Sequence, residues 1–415
     1  MKNTMNRALR GMLALALSCC LLLGMVGAVF AEETQQDELN QILSDIQGLM
    51  MKYGPQIPAE VQNGTYKGTR TEYEPGENSY YVAIGDDSVR KTSSDTYASL
   101  LAKEYGLDEE HYEILAKKKL LIEAAGAEII TPNEAEIRKA DLVSLGFSIN
   151  GFALVAVDEV LGKNEPSYLD WSLYLPAEGV AEVEATLARL KQYLKDTGVD
   201  KEYSLPFLKL NVADTLVAAA ESFAFGTMAY AHSLPKVIDQ IHSINPDATV
   251  VIVGMDNPLD GSSVKLSSGE IMDLGSYVDK LIGYTGDIAQ TVAIEKNNTV
   301  FVAAPDAANE NDGKVLADTD LLLTYTQYLA RALPNAEGHE YIKKCILSAK
   351  RPVGDADNNG TVNYKDAMLV LRASIQLEQV DEETVRICDV DKNGVLTYKD
   401  AMSILRASIG LEELG

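Results

Sequence analysis

Two twelve-residue segments near the C-terminus constrain this chain more than any other feature. Residues 355–366 read Asp-Ala-Asp-Asn-Asn-Gly-Thr-Val-Asn-Tyr-Lys-Asp. Thirty-four residues later, 389–400 read Asp-Val-Asp-Lys-Asn-Gly-Val-Leu-Thr-Tyr-Lys-Asp. Each places side-chain oxygens at the first, third, fifth, ninth and twelfth positions, with glycine sixth, where a calcium loop turns sharply. A hard divalent cation wants six to eight oxygens. The first loop offers Asp355, Asp357, Asn359, Asn363 and Asp366 with the Thr361 carbonyl. The second offers Asp389, Asp391, Asn393, Thr397 and Asp400 with the Val395 carbonyl. The spacing therefore predicts two bound Ca²⁺ ions.

An apolar-periodic helix follows each loop. Residues 364–378 (YKDAMLVLRASIQLE) and 398–412 (YKDAMSILRASIGLE) agree at 12 of 15 positions. Core packing does not demand that exposed Tyr, Lys and Arg repeat along with the buried positions; a partner able to read either copy would. On these residues the region 353–415 resembles the type I dockerins. These are duplicated loop–helix modules that attach secreted enzymes to the cohesin modules of a scaffold, the cellulosome. Asp rather than Glu at the twelfth place (Asp366, Asp400) is usual in that family. The resemblance puts partner recognition on Tyr364, Lys365 and Arg372, and again on Tyr398, Lys399 and Arg406. Near-identity of the two sets would permit binding in two orientations related by a half-turn.

The opposite end reads as an address. Lys2, Arg7 and Arg10 precede an apolar run from about Gly11 to Phe30, and Val29 and Ala31 sit at the key positions of a small-residue cleavage pattern. The expected mature chain starts at 32, and Cys19 and Cys20 fit a lipid-anchor pattern poorly. No later run approaches the roughly 20 apolar residues of a membrane span. With 62 acidic residues against 36 basic, the net charge is −26. That balance argues against nucleic acid or an anionic membrane as partner, since both need clustered Lys and Arg. The expectation is a secreted protein, associated with a scaffold or cell surface through its C-terminal module. Past the leader only Cys345 and Cys388 remain, as an inter-domain disulfide or as two partly buried thiols.

Between these ends, residues 32–52 carry an amphipathic helix pattern (Leu39, Ile42, Ile46, Leu49), and 53–78 read as linker or surface. An α/β alternation follows. Strands are predicted at 80–84, 142–147, 249–254 and 300–304, and helices at 97–105, 177–196, 214–243 and 339–348. Short apolar strands separated by helices argue for a central parallel sheet covered on both faces, with ligands beyond the carboxyl ends of its strands.

Several strand ends carry recognisable sequence: Tyr81-Val82-Ala83-Ile84-Gly85-Asp86-Asp87-Ser88, Ala140-Asp141-Leu142-Val143-Ser144-Leu145 running into Ser148-Ile149-Asn150-Gly151, and Pro334-Asn335-Ala336-Glu337-Gly338-His339. In order and spacing, 79–350 resembles the SGNH (GDSL) hydrolases, esterases that include deacetylases of plant polysaccharides. The resemblance implies a flavodoxin-like three-layer domain followed by the small all-α dockerin. It also implies that the chemistry has gone. Asp87 stands at the nucleophile's place, Lys119 at an oxyanion-hole glycine, and Ala330 and Leu333 at the Asp and His of the final block; only the oxyanion Asn150 is kept. Acyl transfer needs a nucleophile, a base within reach and an orienter for that base. The expectation is a catalytically silent, binding or structural domain.

The alternative is an active carbohydrate esterase using Ser88 with a base from His111, His232, His242 or His339. Asp87 and Lys119 are expected either to form an ion pair across the old pocket or to be solvated separately. Tyr168, Trp171 and Tyr174 recur every three residues. They would form either a wall for a plant cell-wall glycan or, as such stripes more often do, part of the core.

Overall fold

The structure is a computed structural model. It describes residues 33–62, 76, 78–90, 95–118, 120–148, 169–196, 202–205, 208–257, 260–265, 271–273, 275–304, 306–309, 315–317, 333–349, 352–357, 362–380, 382–412 and 414.

In chain order the principal elements are α1 (Glu33–Tyr53), β1 (Tyr81–Gly85), α2 (Tyr97–Glu104), β2 (Tyr112–Ala116) and β3 (Leu142–Gly146). Next come α3 (Ala177–Asp196), α4 (Val212–Ile244), β4 (Thr249–Val253), α5 (Gly275–Glu295), β5 (Thr299–Val302) and α6 (Ala336–Ser348). The C-terminal part holds α7 (Tyr364–Ser374), α8 (Glu382–Cys388) and α9 (Tyr398–Ser408). The five strands form one parallel sheet in the order β2-β1-β3-β4-β5, the doubly wound flavodoxin-like order.

Strand alternation divides the core. Val82, Ile84, Val143, Leu145, Val250 and Ile252 point to one face, under α4 and α5. Tyr81, Ala83, Leu142, Val251, Val253, Val300 and Val302 point to the other, under α2 and α6. Both faces are buried, which is why the strands read as continuous apolar runs. A third cluster packs α3 against α4 and α1, with Val183, Leu187 and Trp171 at its centre.

β1 and β3 meet closely at their carboxyl ends. A Cβ on Gly85 would lie 2.0 Å from the Gly146 carbonyl oxygen, and one on Gly146 would lie 2.5 Å from the Tyr97 hydroxyl. Only glycine allows this approach, and it brings the loops after the two strands together.

The C-terminal helices enclose a small core of Val370, Ala367, Ile387, Cys388, Ala401 and Ile404. The two cysteines form no disulfide with each other: Cys345 is half-buried and Cys388 buried. Among the described residues no helix is long and apolar enough to cross a membrane.

Candidate functional site

In a doubly wound sheet the natural ligand crevice lies where the strand order reverses, here between β1 and β3. That place is occupied by a carboxylate. Asp86, 3% exposed, directly follows β1. Its Oδ1 accepts the Ser88 N–H at 2.9 Å and the Ser88 hydroxyl at 2.8 Å. Its Oδ2 accepts the Ser148 N–H at 2.8 Å and the Ser148 hydroxyl at 2.7 Å. Asp86 thus latches the loop after β1 to the loop after β3. Burial raises its pKa, and the four donors act in the opposite direction.

Ser88 is committed to this latch. Its hydroxyl hydrogen-bonds Asp86, and among the described residues no histidine is its partner. The four histidines are placed elsewhere. His111 pairs with Asp108 at 2.6 Å on the surface. His242 bonds the Ala248 carbonyl through Nε2 at 3.1 Å. His232 stacks on Tyr174, with ring centroids 5.3 Å apart. His339, 6% exposed on the first turn of α6, lies 6.4 Å from the Tyr97 ring, and its Nδ1 has no hydrogen-bond partner. Burial depresses its pKa to about 4, so the imidazole is neutral at ordinary pH.

Asp87 is half-buried and takes Arg90, with its Oδ1 3.2 Å from both Nε and Nη2. Leu333 is half-buried beside Pro334, which bridges to Asn309. Lys119, Asn150, Ala330 and Tyr168 lie outside the described residues, and with them the Asp87–Lys119 pair. The opening beside Ser148, lined by Leu120, Ile122, Phe147, Tyr230 and Met255, encloses about 20 Å³. That is room for about one water molecule.

Trp171 opens a 3₁₀ turn, Trp171–Leu173. It is 5% exposed, packs edge-on against Phe225 and donates its Nε1–H to Glu221 at 3.1 Å. Tyr174 also meets Phe225 edge-on. Both rings are used in packing against α4, as a core stripe would be.

The C-terminal loops gather their acids as the spacing predicts. Carboxylate oxygens of Asp355, Asp357 and Asp366 lie within 4.8 Å of one another, and so do those of Asp389, Asp391 and Asp400. The twelfth residue also builds the following helix. Asp366 accepts the Asn363 N–H at 2.8 Å, Asp400 accepts the Thr397 N–H at 2.8 Å, and Asn363 and Thr397 are the N-caps of α7 and α9. Gly394, the sixth residue of the second loop, has φ +88°. Burial first, then the neighbouring Asp357 and Asp355 charges, push the Asp366 carboxyl up to about 6. Each triad could hold a cation. Asn359 and Thr361 lie outside the described residues.

Each of α7 and α9 also carries an outward apolar stripe: Tyr364, Met368, Leu371 and Ile375 on one, Tyr398, Met402, Leu405 and Ile409 on the other. Tyr364 and Tyr398 are 61% and 63% exposed. The two tyrosines belong to these stripes, and the exposed Lys365 and Arg372, and Lys399 and Arg406, lie on the same helices. Sequence periodicity alone did not expose the stripes, because each helix has a second apolar face turned inward.

No family model matches the chain, and no curated protein does. Among solved structures, an extracellular lipase from Streptomyces rimosus aligns at 14% identity and TM-score 0.31, over 61% of this chain and 98% of the lipase. A lipase from a goat rumen metagenome aligns at 11% identity and TM-score 0.31, over 65% and 97%. Phospholipase A1 from Streptomyces albidoflavus aligns at 15% identity and TM-score 0.30, over 61% and 98%. Likeness at this level says nothing of activity or substrate; the α/β architecture rests on the strand order itself.

Proposed function

We propose that this chain is a secreted component of a cellulosome-type assembly, carried on a scaffold cohesin by a type I dockerin at 353–415. Its SGNH/GDSL-like domain is catalytically silent and serves in binding or structure. The observation that carries the reading is the duplication at the C-terminus. Two acid triads at one spacing each lead into a helix that shows the same exposed Tyr, Lys, Arg and apolar stripe. A monomer gains nothing from two such exposed stripes, whereas a partner that covers one would.

Asp355, Asp357, Asn359, Asn363 and Asp366 would hold one Ca²⁺, with the Thr361 carbonyl. Asp389, Asp391, Asn393, Thr397 and Asp400 would hold the second, with the Val395 carbonyl. Bound Ca²⁺ supplies the positive charge that lets three carboxylates sit together. The protein's own part is to fix the loop ends: Asp366 and Asp400 close each loop onto the first turn of its helix. In the larger domain, silence is supported by the engagement of the Ser88 hydroxyl with Asp86, with no histidine as its partner among the described residues, and by the small opening beside Ser148.

The test uses the chain from residue 32 onward. A panel of recombinant cohesins is titrated in Ca²⁺ and in chelator, and aryl acetates and acetylated xylan are assayed beside Ser88→Ala. The expected result is cohesin binding that needs Ca²⁺, and no turnover. Turnover abolished by Ser88→Ala would establish the esterase alternative. Failure to bind any cohesin with Ca²⁺ present would overturn the docking half.

A further inference from the structure

The two recognition faces are nearly identical in sequence, yet their arginines are held differently. α7 and α9 end alike. Leu377 N–H bonds the Arg372 carbonyl and Leu411 N–H the Arg406 carbonyl, both at 2.9 Å, and Gln376 and Gly410 sit at φ +62° and +72°. This helix-ending turn swings Glu378 back beside Arg372 and Glu412 back beside Arg406. From there the repeats diverge. Arg372 Nη2 lies 3.0 Å from Glu378 Oε2, whereas the nearest Arg406–Glu412 approach is 3.8 Å. The difference has a visible source: the Ser403 hydroxyl donates to Glu412 Oε1 at 2.9 Å. The matching position in the first repeat is Leu369, which packs into the C-terminal core and offers no donor.

We propose that Ser403 sets which face docks. By competing for Glu412 it leaves the Arg406 guanidinium more available to a partner, so the second repeat is the preferred face. This rests on the dockerin reading above. The occupant is a protein surface of complementary chemistry, an apolar patch with carboxylates opposite the arginine. To meet it, Arg372 has to give up or share its glutamate, while Arg406 has less to release. An exposed ion pair of this kind corresponds to a preference of about two- to fivefold in affinity.

The experiment uses the full chain in Ca²⁺ and a cohesin that binds it. One variant keeps only the second face (Tyr364→Ala, Lys365→Ala, Arg372→Ala), and another keeps only the first (Tyr398→Ala, Lys399→Ala, Arg406→Ala). The second-face version is expected to bind about two- to fivefold tighter. Ser403→Ala returns Glu412 to Arg406 and should bring the ratio towards one by weakening the second face alone. Glu378→Gln should narrow it from the other side, by strengthening the first. Equal affinities before either change, or a ratio that neither change moves, would overturn the proposal while leaving calcium-dependent docking intact. If neither face binds any cohesin, the dockerin reading fails and this inference goes with it.

Discussion

A buried imidazole whose Nδ1 has no hydrogen-bond partner makes a definite demand on stability as the solution is acidified. His339 sits against Tyr97 under α6, with its pKa lowered from 6.5 to about 4 by burial. The unfolded chain takes up this proton near pH 6.5 and the folded chain only near 4. Stability is therefore complete above the unfolded value and is lost as pH falls through the window between them. At about 1.4 kcal/mol per unit, the full loss is about 3.4 kcal/mol, of which about 2.5 kcal/mol has gone by pH 4.5.

The perturbation is His339→Leu, which keeps apolar volume beside Tyr97 and removes the titration. Urea unfolding followed through Trp171, the one tryptophan in the chain, gives both proteins' stability from pH 7.5 to 4.5. Asp86 titrates with the opposite sign, because burial raises its pKa and acid relieves that cost. It is common to both proteins and drops out of the difference. The variant should gain on the wild type by about 2.5 kcal/mol across this range. Two curves that stay parallel would show that water or a neighbour already stabilises the imidazolium, and would refute the reasoning.

Two further outcomes follow from backbone geometry. Gly85→Ala forces a Cβ onto the Gly146 carbonyl, and Gly146→Ala forces one onto side-chain atoms of Tyr97 and Val89 rather than onto backbone; chemical denaturation should show the first costing more than the second, which falls at about 1–3 kcal/mol. Gln376 holds φ +62° where the second repeat has Gly410, so Gln376→Gly should stabilise the C-terminal module by up to about 1 kcal/mol, read as a raised melting midpoint in Ca²⁺.

The elements legible in the sequence were those with one clear period. α3 reads directly from Val183, Leu187, Leu190 and Leu194, and the predicted helix 177–196 coincides with it. Strands β1, β3, β4 and β5 appear within two residues of their expected positions, because a strand buried on both faces is a short apolar run. β2 was not anticipated as a strand. It lies at the sheet edge, carries Glu113, and runs into three lysines, so its signal is diluted. α5 was missed as well, since Gly283 and Gly286 and scattered threonines blur its helical period. The acid triads were legible because the members of each lie within one twelve-residue segment. The Asp86–Ser148 latch joins residues 62 apart, and no local pattern announces which serine a carboxylate will take.

That latch also bears on how the central sheet holds its strand ends together. The residues that geometry ties to the fold are Gly85, Asp86, Gly146 and Ser148. Two glycines permit the approach of β1 and β3, and one buried carboxylate satisfies four donors from the loops beyond them. The positions that the family resemblance ties to chemistry, Asp87, Ala330 and Leu333, stand outside this set. Asp87 faces Arg90 and takes no part in the latch bonds. Loss of Asp86 would leave four donors without their acceptor at once, the two of Ser148 buried and the two of Ser88 half-buried. The switch point of the sheet is therefore closed around its own carboxylate, which ties the loops after β1 and β3 to one another.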